Sequence, residues 1–424
     1  MIIRDPLNYA KIELVNLLLV APNYPHTAAE WAGAQNERVA LELRRIVQYL
    51  VVLSPKPYAP RLLAFHDRWR TYASAPKRHL RNGVPVYRPG YPVIPFVLHG
   101  FWENPGAFLF SRGLVSALHG RTRFDAILSF DLASTGALAW QLGRLLGIPA
   151  CGWATGSDVR AKAGTRIGRN VKTALRSLDM VFYQSAELKT VAAQLLGTHP
   201  EALCPERHVV QSRGVIAPEA LPGDEARRTT RSSLHLSAHD VAVLYLGRIV
   251  RGKGLFEFVD VFANLAKTRV DVELLLVGAI PGRDDTPELE RRIHSLSGVR
   301  RRIRIVPACA PNRIWEYFKA ADIFAFPSFR EGMPNSLLEA MLAGLPAVAF
   351  SIPAVREITR FGKGLVEVNA YDFSSFGAAV LGLAADEGRR RAIGAQGQAI
   401  VRQHFSLRRN IRNVVDCIQR LTRS

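Results

Sequence analysis

The sequence predicts an α/β protein made of two doubly wound, Rossmann-like domains facing each other across a cleft, on three observations. Short apolar runs alternate with helix-length segments from end to end, the pattern of parallel sheets covered by helices on both faces. The runs are apolar throughout, as strands buried on both faces require. The 424 residues exceed what one domain commonly holds, and a polar segment at 218–239 interrupts the alternation once.

In chain order, the predicted strands of the first half are 15–21, 49–53, 125–130, 150–154 and 180–183. Those of the second half are 241–246, 272–277, 303–306, 323–326 and 347–350. Helical patterns fall between them at 34–47, 136–146, 256–266, 288–296, 313–320 and 336–343. The interrupting segment opens Pro-Glu-Ala-Leu-Pro-Gly and ends before a fresh strand, so it reads as the domain linker. The predicted domains are therefore 1–217 and 218–405. The tail 406–424 reads as a basic helix with Leu407, Ile411, Val414, Val415 and Ile418 on one face, expected to pack back toward the first domain. No period of 20–50 residues recurs, which excludes a solenoid.

No run reaches the roughly 18 apolar residues of a membrane-spanning helix. The start Met1-Ile2-Ile3-Arg4-Asp5 lacks a basic segment followed by an apolar stretch, so no signal peptide is expected. Cys151, Cys204, Cys309 and Cys417 lie far apart with no C-x-x-C spacing, which argues against structural zinc and a disulfide framework. A reducing, cytoplasmic setting follows.

The formal net charge is +20, from 56 Lys and Arg against 36 Asp and Glu. Residues 51–100 alone carry eight basic side chains against Asp67. Such an excess attracts nucleic acid, anionic headgroups or acidic substrates, or else reflects an arginine-rich sequence style that favours solubility. No nucleic-acid-binding motif accompanies it, so no specific nucleic-acid partner is expected. An aromatic run follows directly, from Tyr91 through Phe96, Phe101 and Trp102 to Phe108 and Phe110. It suits either a surface dipping into an anionic membrane interface or buried core.

Two segments carry chemistry. Gly247-Arg248-Ile249-Val250-Arg251-Gly252-Lys253-Gly254 follows a strand and precedes a helix. It misses the P-loop pattern because Gly254 stands where a magnesium-binding hydroxyl is needed. What remains is Arg248 and Lys253 at a glycine-rich turn, either a phosphate grip or a solvated basic turn. The second segment is Phe329-Arg330-Glu331-Gly332-Met333-Pro334-Asn335-Ser336-Leu337-Leu338-Glu339. A helix starting near Asn335 or Ser336 offers free N–H groups to phosphate, and Glu331 and Glu339 offer acceptors to sugar or ribose hydroxyls. Ser336-x-x-Glu339 is also a capping box, and spacing alone favours the cap for Glu339.

Glu331 and Glu339, with seven residues between, resemble the E-x7-E element of retaining family-4 glycosyltransferases of the GT-B fold. Tyr245-Leu246-Gly247-Arg248 through Lys253-Gly254 is similar to that family's G-R…K-G segment, and Leu274–Gly278 to its next strand and glycine. Glu331-Gly332-Met333-Pro334-Asn335 through Pro346 resembles its signature stretch. Gly147-Ile148-Pro149 and Gly156-Ser157-Asp158-Val159 resemble elements of its first domain.

The resemblance implies a hexosyltransferase-type enzyme, retaining and metal-independent, that takes a UDP- or GDP-linked sugar as substrate and needs no cofactor. It implies that Arg248 and Lys253 hold the diphosphate, Glu331 the donor sugar and Glu339 the ribose. Backbone groups at Ser336 and Leu337, with Gly247, Gly278, Gly332 and Asn335, complete the donor side, and Arg248, Lys253 and Glu331 carry catalysis. Gly33 stands in for the N-terminal glycine-rich turn, which is poorly matched. Thr155 replaces the histidine that many relatives carry, leaving Thr155 and Asp158 as sugar-side candidates. Pro353-Ala354 replaces the usual glycine pair after strand 347–350. No H-E-x-x-H and no compact Asp/His cluster argues for a metal.

With the basic first domain, the expected acceptor is a polyprenyl-linked saccharide or polysaccharide in bacterial cell-envelope or exopolysaccharide synthesis. The expected location is the cytoplasm, peripherally on the inner face of the plasma membrane, with Lys77, Arg78, Arg81 and Arg88 as the anionic-membrane patch. A sugar-nucleotide-binding protein with impaired catalysis, and a nucleotide-sugar epimerase, are the alternative readings.

Overall fold

The computed structural model describes residues 15–26, 33–58, 75–92, 99–156, 158–160, 164–280 and 284–423. Two compact units emerge. The first runs to Tyr183, resumes over Lys189–Gln211 and takes the tail from Ile411; the second holds Gln184–Leu188 and Ser212–Asn410.

In the first unit the strands are β1 (Asn16–Val20), β2 (Tyr49–Leu53), β3 (Lys56–Tyr58), β4 (Arg78–Arg81), β5 (Val84–Tyr87), β6 (Gly90–Pro92), β7 (Ala126–Phe130), β8 (Ala150–Ala154), β9 (Met180–Tyr183) and β10 (His208–Val210). Eight form one sheet in the order β10-β9-β8-β7-β1-β2-β5-β4, while β3 pairs with β6. The strands read as apolar throughout are buried along most of their length, because helices cover both faces. The expectation of a purely parallel sheet fails at the edge, where β4 runs antiparallel to β5. Asn82 and Gly83, both at positive φ, make the two-residue turn that joins them.

The second unit is a six-stranded parallel sheet of β11 (Val241–Leu246), β12 (Val272–Ala279), β13 (Ile303–Pro307), β14 (Ile323–Phe326), β15 (Ala347–Phe350) and β16 (Val366–Val368), in the order β13-β12-β11-β14-β15-β16. Sequence order reverses between β11 and β14, as it does between β1 and β7 in the first unit. Ligands of doubly wound sheets bind outside the carboxyl ends of the strands at such a reversal.

The segment read as a linker contains the helix Asp224–Ser233. It has no apolar stripe; its arginines hold it instead. Arg231, buried, donates to the carbonyls of Ala320, Ser237 and Asp240 and pairs with Asp322, and Arg227 joins the same carboxylate. After its earlier passage over Gln184–Leu188, the chain passes into the second unit at Ser212, before the prolines that suggested the boundary. The tail forms the helix Leu407–Arg423, with Leu407, Ile411, Val414, Val415 and Ile418 all buried. Among the described residues no helix is long and apolar enough to cross a membrane.

Part of the aromatic run, 93–98, lies outside the described residues. Tyr91 is buried in β6, and the run from 99 onward enters the helix His99–Thr122, where Leu109 and Phe110 are exposed and Ala107, Val115 and Leu118 are buried. The basic patch is only half available. Arg88 is buried and donates to the carbonyls of Tyr24 and Pro25. Arg81 is held in a two-point pair by Glu37, leaving Lys77 and Arg78 exposed.

Candidate active site

The turn after β11 is built by its own backbone. Gly247 N–H donates to Val277 O at 3.0 Å, and the buried Tyr245 hydroxyl donates to Arg248 O at 2.8 Å. Burial first, and then the nearby Glu331, push the Tyr245 phenol well above its usual range, so it remains a donor at any working pH. A single helical turn, Arg251–Lys253, ends at Gly254, whose φ is +65°. A Cβ there would lie 2.1 Å from Pro327 O, so only glycine lets this turn pack against the end of β14. At Gly278, φ +128°, a Cβ would lie 2.2 Å from Gly247 O. The glycines thus bring the ends of β11, β12 and β14 together at the reversal of strand order.

Lys253 meets Glu331 across this seam in an ion pair, and Ser328 Oγ donates to the same carboxylate oxygen at 2.8 Å. Both partners are partly exposed. Arg248 is exposed and makes no ion pair among the described residues. The third cation of the turn, Arg251, is spent elsewhere: it pairs with Glu288 and lies 4.7 Å over the Phe256 ring.

The helix Asn335–Leu342 begins immediately beyond Glu331 and Gly332, with Pro334 at its cap position and no side-chain cap. Its first i→i−4 bond runs from Leu338 N–H to Pro334 O at 3.0 Å, so the amides of Ser336 and Leu337 belong to the turn that has no intrahelical acceptors. The capping reading of Ser336 and Glu339 is therefore corrected. Pro334, with no N–H to give and φ −82°, starts the helix one residue before Ser336. Glu339 is instead buried, 3 % exposed, in the second turn. Asn335 Oδ1 is buried and accepts no hydrogen bond. Cations, a helix tip with unused donors and two carboxylates thus converge at the end of one sheet, an arrangement able to hold a diphosphate and neighbouring hydroxyls.

The other three predicted residues lie in the first unit. Gly33, φ +90°, opens the helix Ala34–Arg44, and a Cβ there would lie 2.5 Å from Asn23 O, just past β1. Ser157 lies outside the described residues, but its neighbours show what Asp158 does. Its carboxylate, 2 % exposed, accepts the backbone N–H groups of Leu132, Thr155, Gly156 and Val159 at 2.7–3.0 Å. Its acceptor capacity is filled from within, so Asp158 holds the backbone around Thr155 in place. Asp158→Ala would strand four amides, and its melting temperature should fall by several degrees, read by calorimetry.

The sequence reading missed Asp131, which follows β7 at the first unit's own reversal. Its φ of +85° and ψ of 119° are unusual for a residue with a side chain, and its carboxyl accepts Ser134 N–H at 2.7 Å. Burial, and secondarily the charge of Asp158, push this carboxyl up to about 7. A polar residue directly after an apolar central strand was the available signal. Nearby, a cavity of about 120 Å³ is lined by residues that follow β1, β2 and β7, among them Asn23, Lys56, Ser134 and Thr135. Lys56 Nζ donates there to Pro22 O at 2.8 Å.

Residues 240–386 match the family model described as "Glycosyl transferases group 1". The "Putative teichuronic acid biosynthesis glycosyltransferase TuaC" of Bacillus subtilis (strain 168) is 26% identical over 354 residues, covering 82% of this chain and 84% of that protein. The D-inositol 3-phosphate glycosyltransferase of Xylanimonas cellulosilytica is 30% identical over 185 residues, but that alignment takes in only 43% of either chain. Among solved structures, sucrose-phosphate synthase from Thermosynechococcus elongatus superposes with a TM-score of 0.74 at 20% identity, covering 96% of this chain and 99% of that one. Anabaena HepE, in complex with UDP and glucose, superposes with a TM-score of 0.70 at 17% identity, covering 95% and 98%. The structural likenesses establish the two-domain α/β architecture as GT-B. The match over 240–386 and the likeness to the Bacillus protein support a glycosyltransferase.

Proposed function

We propose that the chain transfers a hexose from a nucleoside-diphosphate sugar, UDP- or GDP-linked, to an acceptor hydroxyl with retention of anomeric configuration, and without a metal ion. The observation that carries this reading is the Lys253–Glu331 pair, set beside an uncapped helix start where strand order reverses. Lys253 and Arg248 neutralise the diphosphate as it gathers charge, and the amides of Ser336 and Leu337 hold its oxygens. Glu331 takes hydroxyls of the sugar and Glu339 those of the ribose. In this reading the acceptor attacks from the face the diphosphate leaves, and the departing phosphate takes its proton.

On the acceptor side we assign Thr155 and Asp131, the latter as the group that relays the acceptor's proton to the departing phosphate. For the acceptor we propose a polyprenyl-linked saccharide or polysaccharide of the cell envelope. Support comes from the teichuronic acid role named for the Bacillus relative and from the basic first half of the chain. Of the four residues of the expected patch, the exposed Lys77 and Arg78 are left for an anionic membrane contact, since Arg81 and Arg88 are committed to internal partners.

A thermal-shift panel of UDP, GDP and their sugars tests the donor assignment. A ligand at 100 times its dissociation constant stabilises by about 2.7 kcal/mol, so the matching nucleotide and its sugar should raise the melting temperature by several degrees. No shift from any of them would overturn the proposal. Product anomers resolved by proton NMR then decide retention.

A further inference from the structure

One aromatic group at the same end of the second unit has no part in the proposed chemistry. Asp372 N–H donates to Asn369 O at 3.1 Å, closing a four-residue turn after β16 with Tyr371 in its third position. The Tyr371 φ is +68°, a backbone slot that glycine fills without strain and that a side chain rarely occupies. The turn is braced on its far side, because Asp372 Oδ1 caps the helix Phe373–Ala385 by accepting Ser375 N–H at 2.9 Å. Tyr371 is thus held in a costly conformation, yet it is 67 % exposed.

Its ring is the outer member of a stack of three. Phe350 is buried at the end of β15, and Phe329 lies over it at 6.0 Å with 12° between planes. Tyr371 lies over Phe329 at 4.5 Å and 21°. Phe329 stands between Ser328 and Glu331 in sequence and reaches to 3.2 Å from the place a Cβ on Gly254 would take. The stack is therefore continuous with the Lys253–Glu331 cradle, and its last residue is largely exposed to solvent.

Resting on the glycosyltransferase reading above, we infer that Tyr371 is a stacking platform for a pyranose ring beside the cradle. The electron-rich face of an aromatic ring attracts the polarised C–H groups that line one face of a pyranose. Carboxylates such as Glu331 read hydroxyls only, so a platform adds recognition of the ring's apolar face. The sugar has two sources in the proposed reaction, the donor's hexose and a ring of the acceptor.

The test uses the full chain and its Tyr371→Gly and Tyr371→Phe variants. Affinities are measured by saturation-transfer NMR for UDP, GDP, UDP-glucose and GDP-mannose. A second arm uses free glucose, mannose, N-acetylglucosamine and glucuronic acid in the presence of the bound nucleotide. Tyr371→Gly should weaken the sugar-bearing ligand about threefold to tenfold and leave the bare nucleotide unchanged, while Tyr371→Phe stays close to the wild type. Loss confined to the nucleotide-sugar arm identifies the donor's ring, and loss confined to the free-sugar arm identifies the acceptor's.

Because glycine relaxes the backbone, Tyr371→Gly should also keep or raise the melting temperature. A lower melting temperature with unchanged affinity in both arms would make Tyr371 merely a cover for Phe329 and overturn the platform alone. A wild-type chain that binds none of these nucleotides or nucleotide sugars overturns the parent reading instead.

Discussion

Lys253→Ala is expected to lower kcat/KM for sugar transfer by roughly 10²–10³-fold, while the melting temperature moves by only a few degrees. The catalytic loss is large because the ammonium would act on charge that develops as the diphosphate departs, inside a turn whose backbone is already fixed by Gly254 and Gly278. The stability cost is small because the Lys253–Glu331 pair is partly exposed, and such pairs contribute at most about 1 kcal/mol. Glu331 also keeps the Ser328 hydroxyl as a donor when the lysine is gone. Steady-state transfer assays beside calorimetry check both halves. Transfer within about threefold of wild type would remove Lys253 from the mechanism.

Asp131→Asn is the second variant with a large expected effect, and its signature is pH dependence. The carboxyl binds its proton more tightly in the folded chain, with a pKa of about 7, than at the ordinary 3.8 of the unfolded chain. Its stabilising contribution is therefore whole below pH 3.8 and is lost as pH rises through 7, where the folded protein must hold a charge beside Asp158. Asparagine keeps the acceptor for Ser134 N–H, tolerates the positive φ and never ionises. The variant should gain on the wild type between pH 5 and pH 8, by on the order of 2 kcal/mol at the upper end. If Asp131 handles the acceptor's proton, the wild-type rise of kcat/KM near pH 7 should vanish in Asp131→Asn. A constant stability difference from pH 5 to pH 8 would mean the carboxyl titrates normally.

The sequence by itself determined ten of the sixteen described strands, mostly the central ones of both units, because strands buried on both faces must be apolar throughout and are easily seen. It also located the Gly247–Gly254 turn and the Glu331–Glu339 stretch. Where stability comes from other sources, the reading fell short. The helix Asp224–Ser233 is held by Arg227 and Arg231 on Asp322 and on carbonyls from distant segments, so it has no apolar period to detect. The β4–β5 edge hairpin is basic and half exposed, and the sequence reading passed over its Asn82-Gly83 turn.

Tertiary structure alone decided which charges are available. Composition counts Arg88 with Arg78, yet one is buried on the Tyr24 and Pro25 carbonyls and the other faces solvent. Spacing could not separate a cap from a ligand group at Glu339, because the answer depends on where Pro334 starts the helix. Asp131 and Asp158 are both plain aspartates in the sequence. Four amides fill one of them, while burial and its neighbour's charge raise the other, and such environments arise only when the ends of separate strands are brought together.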